Sequence, residues 1–187
     1  KQGNGAGDDL SVSPYGLSKY LTNETVRHLA RWAGLGFGKF VIAAPFGRWE
    51  EGRFCWSLFQ SWFEGQPGVV RTPRFIRDNI PAPLLAGAYV DLAESLLREG
   101  QTEHVARPSG FVGTQEEFAR RLAAAMTPRL NLACEVESAP QAELTEPLVR
   151  INDQPTLRPD WPEDAFWDDY ADYYSCLAGA GLLKGAA

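Results

Sequence analysis

A helix signal, a glycine turn and a short apolar run follow one another between Ser13 and Ala44, and that order constrains the fold most. Ser13-Pro14 predicts a helix start, with serine as N-cap and proline at the first helical position, where its missing N–H costs nothing. Leu17, Leu21, Val26, Leu29, Ala30 and Ala33 then fall near helical spacing. Gly34, Gly36 and Gly38 end the helix, Gly34 in the left-handed conformation that glycine tolerates. The stretch Lys39–Ala44, apolar from Phe40 onward, has strand length and the pattern of a strand buried on both faces of a parallel sheet. Pro45, Phe46 and Gly47 break it. Helix, turn and buried strand make one unit of a layered α/β fold.

The rest of the chain continues in the same style. Residues 53–64 place Phe54, Leu58, Phe59, Trp62 and Phe63 on one face of a helix, which reads as core packing. Val69 and Val70 offer a short strand. Arg77 to Ile80 leads into a helix whose buried face is Leu84, Leu85, Ala88, Leu92 and Leu96. Thr114 with Glu117 forms a capping box for a helix through Phe118, Leu122 and Met126. Residues 130–137 alternate with period two, as a half-exposed strand does. Trp161-Pro162 precedes a last helix carrying Phe166, Trp167, Tyr170, Tyr173 and Tyr174. Its Asp164, Asp168, Asp169 and Asp172 read as a solvated face, with no His or Cys beside them to suggest a metal.

Composition narrows the function classes. With 187 residues and 44% hydrophobic content the chain has the make-up of a globular protein of about one domain. A net charge of −6 argues against nucleic acid and polybasic membrane partners, which need clustered cations. No apolar run approaches the roughly 20 residues of a membrane span, and no signal peptide is read. Cys55, Cys134 and Cys176 are odd in number and far apart, which excludes a disulfide framework and a CxxC knuckle and points to a reducing cytoplasm. Two histidines, His28 and His104, are few for a zinc site. Gly34–Lys39 imitates a phosphate loop, but such a loop needs strand, glycines, then helix, and here the glycines follow a helix and precede a strand. No GxSxG elbow is present, and Cys55 sits in the aromatic helix as a small core residue would.

Tyr15 and Lys19 carry the chemistry. Four residues apart at the start of the first helix, they project from one face. A free phenol, with a pKa of about 10, is a poor base at neutral pH. A neighbouring ammonium favours the phenolate, so such a pair can exchange a proton with a substrate hydroxyl.

Around that pair, SPYGLSKYLTNE resembles the active-site helix of the extended short-chain dehydrogenase/reductases, the nucleotide-sugar epimerase/dehydratase group. The strand and loop FVIAAPFGRWEEGRF, the segment Arg77-Asp78-Asn79-Ile80, then RPSGFVGTQEEFARRLA, and EPLVRIND followed by Trp161 resemble later family segments in the same order. The resemblance implies the C-terminal part of a Rossmann-like doubly wound parallel sheet, joined to a small mixed α/β substrate-binding subdomain. It implies residues 1–12 as a flexible lead-in and 13–50 as the end of the Rossmann-like domain. Residues 51–187 are then mainly the substrate-binding subdomain, with 76–97 packing back on the Rossmann-like part.

By the same resemblance, Tyr15 is the general acid or base on a sugar hydroxyl and also contacts the cofactor, while Lys19 holds the nicotinamide ribose and acidifies Tyr15. Ala43, Pro45 and Phe46 line the nicotinamide of NAD or NADP. Arg77, and secondarily Arg53, grip the diphosphate of a nucleotide sugar, a task suited to a guanidinium fork. The partners it implies are a nucleotide-sugar substrate, a second copy in a homodimer, and an N-terminal Rossmann half. That half, with its glycine-loop helix and the catalytic Ser/Thr, would precede Tyr15, so the chain reads as a C-terminal piece that binds dinucleotide weakly by itself. Two further departures stand out: Ala44 replaces the loop asparagine, and Pro81-Ala82-Pro83 replaces the usual His-Val-Asp. The alternatives are a non-catalytic dimerising fragment or degenerate relative, or a reductase of a non-sugar carbonyl, which Ala44 favours.

Overall fold

The computed structural model describes residues 13–50, 52–100, 102–141 and 146–183. The lead-in expected over residues 1–12 lies outside them. From the N-terminal side come α1 (Pro14–Trp32), β1 (Phe37–Phe40), β2 (Ala44–Phe46), α2 (Phe54–Phe63) and β3 (Gly68–Val70). They are followed by β4 (Ile76–Pro81), α3 (Ala82–Glu99), β5 (Glu103–Ala106), β6 (Pro108–Ser109) and β7 (Phe111–Thr114). The remainder is α4 (Gln115–Leu130), β8 (Val136–Ser138), β9 (Val149–Arg150), β10 (Gln154–Pro155) and α5 (Glu163–Gly179). The result is a mixed α/β fold with parallel strand pairs. Among the described residues no helix is long and apolar enough to cross a membrane.

The chain divides into two compact units. The first comprises residues 1–45, 76–112 and 145–157, the second 46–75, 113–144 and 158–187.

In the first unit, the Ser13 hydroxyl accepts the Gly16 N–H at 3.1 Å and opens α1 as an N-cap should. Gly34, at φ 66°, turns the chain while the Leu35 N–H returns to the Ala30 carbonyl at 2.8 Å. β1 then pairs in parallel with β5, and α3 packs on both. The single strand expected over Lys39–Ala44 is in fact two, β1 and β2, separated by Val41–Ala43. The break has a cause 111 residues away: the Asn152 side-chain amide donates to the Val41 carbonyl and to the Pro108 carbonyl, both at 2.8 Å.

Asp78 ties this region together. Its side chain is fully buried on β4 and accepts the N–H of Gly110 at 2.7 Å and of Asn152 at 3.0 Å. Gly110 must be glycine, because a Cβ there would lie 2.5 Å from the Asn79 carbonyl oxygen and 2.8 Å from Ile80 Cα. β4 itself lies between β2 and β7 and also pairs in parallel with β9. The helix after β4 buries only Leu92 completely; Leu84, Leu85, Ala88 and Leu96, expected beside it, are half-buried.

The second unit holds a dense aromatic core. Phe59 stacks on Tyr174 with ring centroids 3.6 Å apart, and Tyr170 meets both rings edge-on. The aromatic stripe of α2 is thus core, as its spacing predicts. α4 opens on the expected capping box, Thr114 with Glu117. It also runs through Pro128 to Leu130, so no strand begins at 130 and only Val136–Ser138 form β8. Arg129 holds this last turn by bonding Asp168 at 2.7 Å and Asp164 at 2.9 Å across to α5. The acids of α5 thus form the solvated face that the sequence predicts, with Asp164, Asp168, Asp169 and Asp172 all exposed, and three of them also pair with arginines. Asp164 and Asp168 face Arg129, Glu163 faces Arg121 and Asp169 faces Arg48.

Candidate active site

Tyr15 and Lys19 occupy the first turns of α1, where the proline-led, serine-capped start fixes their direction. The Lys19 ammonium lies 5.6 Å from the centroid of the Tyr15 ring, so the two side chains share one face as their spacing predicts. Tyr15 is 73% exposed. Beside the pair, Pro14, Leu17, Ser18, Leu21, Thr22, Thr25 and Val26 form a wide apolar surface on the same helix. α1 contributes no buried residue.

The other expected ligand residues are placed less uniformly. Ala43 is buried and Pro45 half-buried in the first unit, on either side of Ala44. Phe46 is a core residue of the second unit: its ring packs on Phe118, Phe166, Trp167 and Tyr170. Its ring is thus engaged in that core and is 3% exposed. Arg53 is exposed just before α2, in the second unit.

Arg77 is only 8% exposed. Its guanidinium donates to the carbonyls of Ile76, Pro147 and Leu148 at 2.9, 3.2 and 3.0 Å. Burial draws its pKa below the usual arginine range, and the nearby Glu146 carboxylate opposes that shift. One oxygen of Glu146 lies 3.3 Å from Arg77 and 2.8 Å from Arg150, so two guanidinium groups already share an oxyanion. Arg150 escaped the sequence reading because only the β4–β9 pairing, with Arg77 opposite Arg150, brings it there.

In the second unit lies a titratable centre that the sequence did not announce. Glu50 is 8% exposed, and its carboxyl accepts the Cys55 N–H at 3.3 Å and the Tyr170 hydroxyl at 3.2 Å. Desolvation raises its pKa to about 7, opposed by those bonds and by the charge of Arg53. Burial, with Glu50 nearby, lifts the Cys55 thiol and the Tyr170 phenol well above their ordinary ranges. Cys55 is thus an inert core thiol, as read from sequence.

No family model matches the chain, and no curated protein matches its sequence. Solved structures do share its fold. UDP-N-acetylglucosamine 4-epimerase from Methanobrevibacter ruminantium, in complex with UDP-N-acetylmuramic acid, superposes with a TM-score of 0.66 at 17% identity, over 89% of this chain and 55% of that one. UDP-glucose 4-epimerase from Thermus thermophilus, in complex with NAD, gives 0.62 at 18% identity over 91% and 58%. L-threonine 3-dehydrogenase from Trypanosoma brucei gives 0.62 at 16% identity over 92% and 57%. The chain therefore spans little more than half the length of these enzymes, and over that span it has the fold of nucleotide-sugar epimerases and of a related dehydrogenase.

Proposed function

We propose that this chain is the C-terminal, substrate-side part of an NAD(P)-dependent oxidoreductase of the nucleotide-sugar epimerase/dehydratase type. The observation that carries the reading is the Tyr15–Lys19 pair, with an ammonium beside an exposed phenol at the capped start of a helix. The fold likeness supports it, because the neighbours in that fold are epimerases and a dehydrogenase.

The residues present fit one end of a nicotinamide dinucleotide. Tyr15 and Lys19 offer a hydroxyl and an ammonium to a ribose and a reacting hydroxyl, and Pro45 offers a half-exposed apolar surface. A glycine loop between a strand and a helix, the cradle for a pyrophosphate, is not found among the described residues. A bound nicotinamide supplies the acceptance and return of a hydride. The chain's own part is proton handling. The Tyr15 oxygen takes the proton of a sugar hydroxyl as that carbon is oxidised, and returns it on reduction. Lys19 stabilises negative charge developing on that oxygen and holds the ribose hydroxyls.

Arg77 contacts a substrate diphosphate by exchanging Glu146 for phosphate oxygens, a substitution of one oxyanion for another between Arg77 and Arg150. Arg53 is a second candidate contact. The exposed apolar side of α1 is covered by the N-terminal half, by a second copy, or by both, in a cytoplasmic assembly.

A second reading, reduction of a non-sugar carbonyl, is favoured by Ala44, which offers no amide to a sugar, and by the threonine dehydrogenase neighbour. Calorimetric titration of NAD⁺ and UDP-glucose into the chain alone, and into a longer product of its gene, tests both. The expected result is weak or no binding to the chain alone and binding of both ligands to the longer product. NAD⁺ binding without UDP-glucose binding supports the second reading, and absence of both removes the enzyme assignment.

A further inference from the structure

Between the buried side chains of Phe46 and Glu50 the backbone rises in a short arch, and at its top Trp49 stands 77% exposed. The arch is anchored on both sides. Phe46 sits in the aromatic core, the Glu50 carboxyl holds Cys55 N–H and Tyr170, and the Tyr174 hydroxyl donates to the Glu50 carbonyl at 3.5 Å. Trp49 adopts φ 69°, a conformation that bulky side chains rarely take and that nothing in the sequence relieves with glycine. A strained backbone thus presents an indole to solvent from a rigid base.

The surroundings of that indole narrow what it can hold. Tyr173 lies beside it, with ring centroids 5.4 Å apart and planes at 58°. The Arg48 guanidinium sits 6.0 Å from the Trp49 ring and 5.5 Å from the Tyr173 ring, and Arg48 Nη1 bonds Asp169 at 2.9 Å. Because Arg48 already occupies the cation position over these rings, a cationic ligand is disfavoured. An anion meets Asp169 beside the same arginine, on a helix that also carries Asp172. A protein partner needs a contiguous apolar patch, yet among the described residues of this unit the other large exposed apolar side chains are Val69 and Leu182, neither of them aromatic. What fits is a small neutral ring with one apolar face and hydroxyl groups at its edge: the face stacks on the indole, and the hydroxyls meet the half-exposed, planar Arg48 and Asp169.

We infer that Trp49, Arg48 and Asp169 form a binding platform for the pyranose ring of a neutral glycoside. The platform stands on its own geometry and does not depend on the Tyr15–Lys19 reading. Its probes carry no nucleotide, so failure of dinucleotide binding leaves the test intact.

The test is a titration of the full chain with methyl β-D-glucopyranoside, methyl β-D-galactopyranoside and N,N′-diacetylchitobiose, with uridine as control. The readouts are the Trp49 indole N–H resonance, assigned by its loss in Trp49→Phe, and, for the variants that lack this indole, saturation-transfer difference on the glycoside protons. A saturable shift with at least one glycoside is expected, with Kd on the order of 1–10 mM. Trp49→Ala should weaken it at least about tenfold, and Arg48→Gln by about threefold, each corresponding to lost contact energy. Trp49→Gly should abolish binding while leaving the melting temperature unchanged or higher, since glycine adopts the left-handed φ without strain. The proposal is overturned if no glycoside shifts the resonance at about 50 mM, or if Trp49→Ala binds as well as the unsubstituted chain. A response to uridine alone also overturns it, and so does a clear fall in melting temperature in Trp49→Gly, which would make the indole a packing element.

Discussion

In the unit built from residues 46–75, 113–144 and 158–187, Phe59, Trp62, Tyr170 and Tyr174 are completely buried, whereas in the other unit α1 buries none of its 19 residues. Both units began from apolar residues at helical spacing. The aromatic face of α2 finds α5 and β3 within the same unit. The face of α1 carrying Leu17, Leu21 and Leu29 stays open to solvent, each of the three about half exposed. Helices of moderate length draw most of their stability from a packed face, not from propensity. The contrast teaches that the second unit completes its own core, while α1 displays a surface suited to a further layer, beside the pair to which we assign the chemistry.

That contrast can be broken by mutation. Phe59→Ala should cost about 4 kcal/mol in urea unfolding, because it removes a stacked ring and leaves a cavity in a dense core. An unchanged midpoint would mean that the second unit is not held by its aromatic cluster. In the first unit the largest effect should come from a polar residue. Asp78→Ala strands the N–H groups of Gly110 and Asn152 in a buried setting and should cost about 3 kcal/mol. A loss under about 1 kcal/mol would remove Asp78 as the tie between β4 and its neighbours.

Glu50 sharpens the comparison through pH. Its folded pKa of about 7 lies above the ordinary value of 4.5, so the folded chain holds a proton that the unfolded chain has released between those values. This group's contribution is therefore fully present below pH 4.5, falls as pH rises toward 7, and is lost above it. The full difference is on the order of 3 kcal/mol. The groups facing it are Cys55 on α2, Tyr170 and Tyr174 on α5, and Arg53 before α2, and of these only Arg53 carries a charge that favours ionisation. Unfolding free energies at pH 5 and pH 8 should differ more in the unsubstituted chain than in Glu50→Gln, and equal differences would rule out this role. The smallest effect is expected on α1, where Leu21→Ala should change stability by less than about 0.5 kcal/mol in the chain alone. A larger loss would show that α1 is packed in solution.

Much of this architecture was legible in the residues themselves. The serine cap and proline of α1, the left-handed Gly34, the Thr114–Glu117 box and the aromatic face of α2 are local signals, and each has its physical cause within a few residues. The misreadings arise from partners distant in sequence. Asn152 reaches Val41 and splits an apolar run into two strands, and Arg129 reaches α5 and holds a helix where alternation suggested a strand. Glu50 and Asp78 look like ordinary surface acids until the fold buries them. In the candidate site, the shared face of Tyr15 and Lys19 was legible from spacing. The burial of Phe46, the anchoring of Arg77 on residues 146–148 and the positive φ of Trp49 depend on tertiary contacts that no local pattern encodes.

The most direct measurement is turnover of UDP-glucose with NAD⁺ by this chain joined to the N-terminal dinucleotide-binding half that the proposal requires, carrying Tyr15→Phe, compared with the unsubstituted protein. Removing the phenolic oxygen while keeping the ring should lower kcat by about 100-fold or more, with NAD⁺ affinity changed little. Equal kcat in the two proteins would contradict the proton-transfer role on which the functional reading rests.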